Sequence, residues 1–176
     1  MPNKHISNSG FKAMALTFKI RDFLRPRKDV VKEVGIREGF QVLDYGCGPG
    51  SYVRAVAELV GKSGKIYALD INLLAIQTVK KIAEKNRLTN VETILSSCKT
   101  RLPDDSLDVV LLYDTFHDLT DPDEVLEELH RVLKPNGVLS FSDHHMKEND
   151  IISEVTNKGL FKLLKKGVET LSFVKA

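Results

Sequence analysis

Three glycines at alternate positions follow a short apolar run in the segment VLDYGCGPGSYV, residues 42–53. A strand that passes through a glycine-rich turn into a helix leaves N–H groups unpaired and places no Cβ in the way, which favours the approach of a ligand. An ordinary tight connection would need only one glycine with positive φ. The alternate spacing therefore predicts a strand, turn and helix with a ligand lying across the turn.

From residue 41 onward, apolar runs of strand length alternate with segments of helical period, as in a parallel sheet covered on both faces. Five runs are predicted as strands: QVLDYG, KIYALD, VETIL, LDVVLLYD and GVLSFSD. Asp121 is predicted to cap a helix that KPNG, residues 134–137, ends. Lys165 to Gly167 is predicted to be the turn of a C-terminal antiparallel hairpin, with Leu171 and Phe173 facing inward. We therefore predict an α/β fold, doubly wound and mostly parallel.

Composition limits the class of protein. A chain of 176 residues, 42% of them hydrophobic, suits one globular domain, and a net charge of +2 is too mild to indicate a nucleic-acid partner. Lys12, Lys19 and Arg21 interrupt the apolar runs at the start of the chain, so no membrane span is predicted. The two cysteines have no metal-ligand spacing, which predicts reduced thiols and a cytoplasmic location.

Two acids qualify the glycine loop. The dinucleotide fingerprint needs G-x-G-x-x-G, whereas the loop has G-x-G-x-G, which weakens the interpretation as a nicotinamide-dependent oxidoreductase. Asp44, just before the loop, would repel a pyrophosphate and attract an ammonium group. Asp70 ends KIYALD, where a carboxylate can accept both hydroxyls of a ribose. S-adenosylmethionine carries both a ribose and an ammonium group.

Four segments, VLDYGCGPG, IYALD, LPDDSLDVVLLYDTFHDL and LEELHRVLKPNGVL, resemble the successive motifs of class I S-adenosylmethionine-dependent methyltransferases. The resemblance is greatest to the group that includes the ubiquinone and menaquinone methyltransferases, and it covers about residues 30–145. It implies a Rossmann-like sheet of seven strands, in which the terminal hairpin supplies the antiparallel seventh strand.

By position, the resemblance also implies a set of cofactor-binding residues. The loop glycines would line the methionine part of the cofactor with Asp44 near its ammonium, and Asp70 would hold the ribose hydroxyls. Residues after the third strand would approach the adenine, and residues ending the fourth strand would approach the methionine part. The set comprises Asp44, Gly46, Gly48, Gly50, Asp70, Ile71, Ser97, Cys98, Tyr113 and Asp114.

Two polar clusters, YDTFHD and SDHHM, follow the fourth and fifth predicted strands. The carboxyl ends of parallel strands form the ligand-binding edge of such a sheet. We predict that His117, His144 or His145 orients or deprotonates the methyl acceptor. For His117 a structural role in the loop is an equal alternative, since the family often has histidine there. The clusters contain metal-ligand types without a recognised spacing, so no metal site is predicted.

Residues 1–28 are predicted to be an N-terminal lid or helical segment, and residues 29–176 the S-adenosylmethionine-binding domain. Phe11, Met14, Phe18 and Phe23 would suit the apolar wall of a lid, although their spacing is equally that of a plain amphipathic helix. Without such a lid, the site would stay open or a homodimer would close it.

The prediction for function is methyl transfer from S-adenosylmethionine, with S-adenosylhomocysteine as product, to a small or medium-sized acceptor. A binding or regulatory protein that keeps the cofactor pocket without catalysis is the alternative, and an oxidoreductase is less favoured. No NPPY or DPPY follows the fourth strand, where YDTF stands, which disfavours methylation of nucleobase amino groups.

Overall fold

The computed structural model of this protein describes residues 8–24 and 27–176, over which strands and helices alternate. The strands are β1 Gln41–Tyr45, β2 Lys65–Asp70, β3 Val91–Leu95, β4 Leu107–Tyr113, β5 Leu133–Ser142, β6 Phe161–Lys166 and β7 Leu171–Lys175. The α-helices are α1 Asn8–Leu24, α2 Lys28–Glu33, α3 Val53–Val60, α4 Leu73–Asn86, α5 Pro122–Val132 and α6 Glu148–Thr156. A single 3₁₀ turn, Phe116–Asp118, follows β4.

The strands form one seven-stranded sheet in the order β3-β2-β1-β4-β5-β7-β6. Strands β1 to β5 pair in parallel, and β7 lies antiparallel between β5 and β6. The predicted Rossmann-like, mostly parallel sheet with an antiparallel hairpin is confirmed. The chain turns to opposite sides of the sheet after β1 and β4, so their carboxyl ends border the crevice in which such folds bind ligands.

Alternation along the buried strands places the core on both faces of the sheet. Val42 packs against α2, α3 and α4, whereas Leu43 packs on the side of α5 and α6. The amphipathic helices predicted from 3.6-residue spacing supply the covering layers. The Asp121 cap is confirmed, since its Oδ1 accepts a 3.0 Å hydrogen bond from the Glu124 amide.

Two predicted boundaries were wrong. Strand β5 begins at Leu133 and not after KPNG, because Leu107 pairs with Leu133 and Val109 with Val138, leaving residues 134–137 as a bulge. The hairpin turn is not at Lys165 to Gly167, since Lys165 and Lys166 are paired residues of the edge strand β6. The connection is instead residues 167–170. Lysines on an exposed edge strand hinder its pairing with other chains. The polar character of Lys165 and Lys166 has this cause, and it was interpreted as that of a turn.

Helix α1 lies beside the sheet with Phe11 buried and with Leu16 and Ile20 exposed. Phe23 was also considered for a lid, but its side chain lies outside the described residues. No helix in residues 8–24 or 27–176 has both the length and the apolar character needed to cross a membrane.

Candidate functional site

A cavity of about 180 Å³ opens at the carboxyl ends of β1, β2 and β4. The glycine loop, the first turn after β4 and one face of α1 form its walls. The predicted residues that line it are Asp44, Gly46, Gly48, Asp70, Ile71, Ser97, Tyr113 and Asp114. Eight of the ten residues in the predicted binding set therefore line the cavity, and Gly50 and Cys98 lie outside its lining.

The protein's own packing requires two of the three glycines. A Cβ on Gly46, where φ is +75°, would lie 2.3 Å from Oγ1 of Thr115, and one on Gly50 would meet Ile82 of α4 at 3.0 Å. A Cβ on Gly48 would meet no heavy atom closer than 4.0 Å. Gly46 thus lets β1 and the turn after β4 approach each other, while Gly50 packs the back of the loop against α4.

The expected row of free N–H donors in the loop was wrong. The amides of Gly46 and Cys47 donate to the carbonyl of Leu69, and that of Gly50 donates to the carbonyl of Cys47. The amide of Gly48 donates to Oδ2 of Asp70 at 2.8 Å. These groups already have partners in the protein, so they are not the unpaired donors that the glycine pattern predicted.

Asp44 supplies a buried carboxylate at the floor of the cavity. Its Oδ2 has no hydrogen-bond partner among the described residues. Burial, and secondarily the charge of Asp70, raise the pKa of Asp44 to about 7. An ammonium group would satisfy this oxygen and favour its ionised form, so this carboxylate fits the amino group of S-adenosylmethionine.

Asp70 joins the end of β2 to the glycine loop. Its Oδ1 accepts a hydrogen bond from the amide of Asn72 at 2.7 Å and its Oδ2 accepts one from Gly48 at 2.8 Å. Burial raises the pKa of Asp70 despite these bonds. Each carboxylate oxygen can accept a second hydrogen bond, so the group can still receive the two hydroxyls of a ribose.

The segment after β3 contributes differently from the prediction. Ser97 lines the cavity together with Ser96, and the Ser97 carbonyl accepts a hydrogen bond from the Tyr45 hydroxyl at 3.1 Å. Cys98 is buried with its Sγ 3.7 Å from the carbonyl oxygen of Glu124, and it packs toward α5. Ser96 is therefore the neighbour of Ser97 in the cavity, in place of Cys98.

The end of β4 brings two predicted residues to the cavity. The Tyr113 hydroxyl is 2.7 Å from Oγ of Ser140, so this polar atom already has a partner inside the sheet. Asp114 has φ of +50°, a left-handed conformation that is uncommon outside glycine. Its Oδ1 lies 2.6 Å from Nδ1 of His144 and its Oδ2 lies 3.6 Å from Nη1 of Arg21.

The three predicted histidines come together as a stack beside the cavity. The ring of His145 lies 4.2 Å from that of His117 and 4.0 Å from that of His144, between centroids. Asp143 has a fully buried side chain, and its Oδ2 is 2.8 Å from Nδ1 of His117. The stack borders the cavity lining at Asp114 and Asp118. Within the described ranges, no three His, Cys, Asp or Glu residues are grouped to hold a metal ion.

Sequence reasoning missed several residues of the lining, Arg21 and Asn72 among them, whereas Asp118 belongs to the predicted polar cluster YDTFHD. Arg21 of α1 reaches Ser51 in the loop, with 3.3 Å between Nη2 and Oγ, and Asp118 lies beside His117. Phe11, Met14 and Phe18 of α1 also line the cavity, which accords with an apolar wall. The helix cap Asn72 could have been found from the sequence, because it follows Asp70 by two residues. No local signal placed Arg21 at the cavity, because its contacts there, Ser51 and Asp114, lie at least 30 residues away along the chain.

Known families and proteins are similar to this chain over most of its length. A family model described as a methyltransferase domain matches residues 36–171. The demethylmenaquinone methyltransferase of Geobacillus stearothermophilus is 32% identical over 126 residues, which are 71% of this chain and 54% of that protein. A ubiquinone/menaquinone biosynthesis C-methyltransferase of Hahella chejuensis is 30% identical over 130 residues, 73% of this chain and 52% of that protein. The chain thus spans about half the length of the curated relatives it matches.

Solved structures share the architecture. A SAM-dependent methyltransferase from Aquifex aeolicus superposes with a TM-score of 0.76 at 27% identity, covering 92% of this chain and 97% of that one. The crystal structure of a protein from Methanococcus maripaludis gives a TM-score of 0.79 at 14% identity over 99% of this chain and 95% of that one. The second likeness concerns the fold alone.

Proposed function

Because this chain belongs to the S-adenosylmethionine-dependent methyltransferases, we propose that it transfers the methyl group to a small or medium-sized acceptor. The observation that carries the proposal is the buried Oδ2 of Asp44, which has no hydrogen-bond partner in residues 8–24 and 27–176 and lies in a cavity that Asp70 also lines. One ligand with an ammonium group and a ribose satisfies both carboxylates.

In the proposed complex, Asp44 holds the ammonium, Asp70 holds the ribose hydroxyls, and Ile71 with Ser97 borders the adenine. The space where a Cβ of residue 48 would lie is open, so Gly48 lets the ligand approach the loop closely. Tyr113 and Asp114 border the methionine part. When bound, the cofactor supplies a methyl group on a sulfonium, which is electrophilic without further activation. The protein's own task is then to position the acceptor and, where it is protonated, to remove its proton.

We assign the removal of that proton to His117. The carboxylate of Asp143 has no proton to donate when ionised, so Nδ1 of His117 carries the hydrogen and donates it at 2.8 Å. This arrangement leaves Nε2 as the basic nitrogen. Nε2 lies 3.4 Å from Oδ2 of Asp118, which lines the cavity. A proton taken from the acceptor to Nε2 would be stabilised between the two carboxylates.

His144 and His145 take supporting positions in this proposal. The His145 amide donates to Oδ1 of Asp143 at 3.0 Å, which fixes the carboxylate that orients His117. His144 is 63% exposed and pairs with Asp114 on the solvent side of the stack. Their rings extend the stack outward, so they position His117 and are not the base themselves.

The acceptor lies, in this proposal, between the His117 side and α1. Phe11, Met14 and Phe18 offer an apolar wall there, which suits an aromatic ring. The curated relatives are named for quinone acceptors, so hydroquinones and other phenols are the first class to test. Helix α1 then acts as the lid. Because α1 covers the cavity within one chain, a second subunit is not needed to close it.

We also place the protein in a reducing, cytoplasmic compartment. Cys47 and Cys98 are both free and buried, and no disulfide joins them.

The first experiment is calorimetric titration with S-adenosylmethionine, S-adenosylhomocysteine and NADH. Micromolar binding of both adenosyl ligands without binding of NADH is expected. If neither adenosyl ligand binds, the proposal falls. A screen of phenols and hydroquinones with labelled methyl donor then separates an enzyme from a regulatory protein, since the regulatory alternative predicts binding without methyl transfer to any acceptor.

A further inference from the structure

The lining of the cavity is rich in carboxylates. Its charged side chains are those of Asp44, Asp70, Asp114, Asp118 and Arg21. Within residues 8–24 and 27–176, Arg21 is the single arginine, lysine or histidine of the lining. In a recess with walls of low dielectric constant, an excess of charges of one sign sets the local potential. This lining therefore attracts cations and repels anions.

The positive charge of Arg21 is already engaged with acids of the protein. Its Nε donates to Oδ1 of Asp22 at 3.0 Å, and its Nη1 lies 3.6 Å from Oδ2 of Asp114. Nε of Arg27 also lies 3.0 Å from Oδ1 of Asp22. Two guanidinium groups and two carboxylates thus form a balanced network at this side of the cavity, and Asp118 is not part of it.

Asp118 carries a charge that no cationic side chain offsets. It ends the 3₁₀ turn after β4, and in the part of the chain that the structure describes its one ion-pair contact is with His117. Oδ2 of Asp118 lies 3.4 Å from Nε2 of that ring. In the proposed function the imidazole is neutral until it takes the proton of the acceptor. An acceptor that arrives beside Nε2 therefore meets an unbalanced carboxylate.

The bound cofactor does not reverse this imbalance. S-adenosylmethionine carries two positive groups, the ammonium and the sulfonium, and one carboxylate, so its excess of positive charge is a single unit. Asp44 and Asp70, the two carboxylates assigned to the cofactor, more than offset that unit. The buried Oδ2 of Asp44, which has no hydrogen-bond partner in residues 8–24 and 27–176, independently indicates a cavity built for cationic groups.

We propose that Asp118 makes this protein select against methyl acceptors that carry a negative charge. The inference rests on the proposed function, which places the acceptor beside Nε2 of His117 and therefore beside Asp118. The facing wall of Phe11, Met14 and Phe18 offers an anion no side-chain donor. An uncharged phenol or hydroquinone fits this site, whereas a counterpart with a carboxylate on the ring meets a like charge. The acceptor thus enters with its proton and gives it up at His117.

The test compares gentisamide and gentisate, the amide and the carboxylate of the same hydroquinone ring, which differ in charge and hardly in shape. Each is titrated into the protein loaded with S-adenosylhomocysteine, and ligand-observed NMR measures the affinity. Wild type is expected to prefer gentisamide. Asp118→Asn should reduce this preference about 3- to 10-fold, mainly through tighter binding of gentisate. Asp118→Glu keeps the charge and should keep the preference.

Asp123→Asn is the matched control, because it changes the net charge of the protein by the same amount outside the cavity. The Asp123 side chain is 48% exposed, against 59% for Asp118, and pairs with Lys158 at 3.0 Å. It should leave the preference unchanged. A wild-type preference retained in Asp118→Asn would overturn the inference, as would equal binding of both rings, or of neither, by wild type. Failure of wild type to bind S-adenosylhomocysteine would instead defeat the proposed function.

Discussion

Nδ1 of His117 lies 2.8 Å from Oδ2 of Asp143, a carboxylate whose side chain is fully buried. The same Asp143 accepts hydrogen bonds from the amides of His117 and His145. A buried carboxylate with these partners fixes both the orientation and the tautomer of the imidazole, as a positioning residue does for a general base.

His117→Gln is expected to lower kcat about 10²- to 10⁴-fold while leaving the affinity for S-adenosylhomocysteine unchanged, because His117 lies outside the cofactor cavity lining. Asp143→Asn should lower kcat as well, since an amide can turn the imidazole to the wrong tautomer. Steady-state kinetics with a phenolic acceptor and calorimetry measure the two quantities. His130→Gln is the control, because the His130 ring lies on α5 and packs against Phe161. Unchanged kcat and an unchanged pH profile in His117→Gln would refute the assignment.

Cofactor affinity is expected to weaken below pH 7. The ammonium binds the ionised form of Asp44, and burial raises the pKa of that carboxyl to about 7. Below this value a proton must leave on binding, so affinity should fall by up to tenfold per pH unit. Calorimetry between pH 5.5 and 7.5 tests the slope, and Asp44→Asn should reduce it. A flat profile in wild type would contradict the role of Asp44.

The raised pKa of Asp44 also predicts how the stability of the ligand-free protein changes with pH. An acid whose pKa is raised by folding disfavours the folded state once it ionises. Asp44 should therefore cost stability as the pH rises from its unfolded pKa of 3.8 through about 7. Bound cofactor should remove this cost.

Asp70→Ala is expected to weaken binding of S-adenosylmethionine at least 100-fold. It removes the proposed ribose acceptor and also the acceptor of the Gly48 amide, which holds the loop in shape. Calorimetric titration is the measurement, with Asp29→Ala on the exposed side of α2 as the control. Near-normal affinity in Asp70→Ala would defeat the cofactor assignment.

Gly46→Ala and Gly48→Ala should separate packing from ligand approach. The new Cβ of Gly46→Ala would lie 2.3 Å from Thr115 Oγ1, with φ of +75°, so a loss of about 2–4 kcal/mol is expected in urea unfolding. The nearest heavy atom to the new Cβ of Gly48→Ala is the Gly46 carbonyl oxygen at 4.0 Å, so this variant should lose only about 1 kcal/mol from its positive φ. Its larger effect should be on cofactor affinity. Equal stability losses would show that the Thr115 contact yields easily.

The sheet could be predicted from the sequence because each buried strand is a short apolar run and each helix has a single apolar face. The hairpin turn was misplaced because Lys165 and Lys166 are polar for a different reason, the solvent exposure of an edge strand. Asp44 and Asp70 could be found because they adjoin the glycine loop or end a strand. Asp118 could be expected there because it belongs to the polar cluster after β4, whereas Arg21 enters the cavity only through the packing of α1, which depends on long-range contacts that no local pattern encodes. The amides of Gly46, Cys47 and Gly48 were predicted to be free because their acceptors, Leu69 and Asp70, lie on another strand.

Glu128 is expected to stabilise the protein at neutral pH and to lose that effect in acid. Its buried carboxylate accepts hydrogen bonds from Thr100 and Arg131. Burial alone would raise the pKa of Glu128, but these bonds and the charge of Arg131 outweigh it and lower the pKa to about 2. A lowered pKa means that the contribution is complete above the unfolded value of 4.5 and is lost as the pH falls through about 2. The shift corresponds to roughly 3 kcal/mol.

Glu128→Gln should therefore be less stable than wild type by roughly 3 kcal/mol at pH 7, and the difference should shrink toward zero as the pH approaches 2. Chemical unfolding at a series of pH values measures it. Glu127→Gln is the control on the same helix, since Glu127 is 59% exposed and pairs with Lys158 at the surface; its effect should stay within about 0.5 kcal/mol. A difference between wild type and Glu128→Gln that does not change with pH would mean that the side chain acts through packing and not through its charge.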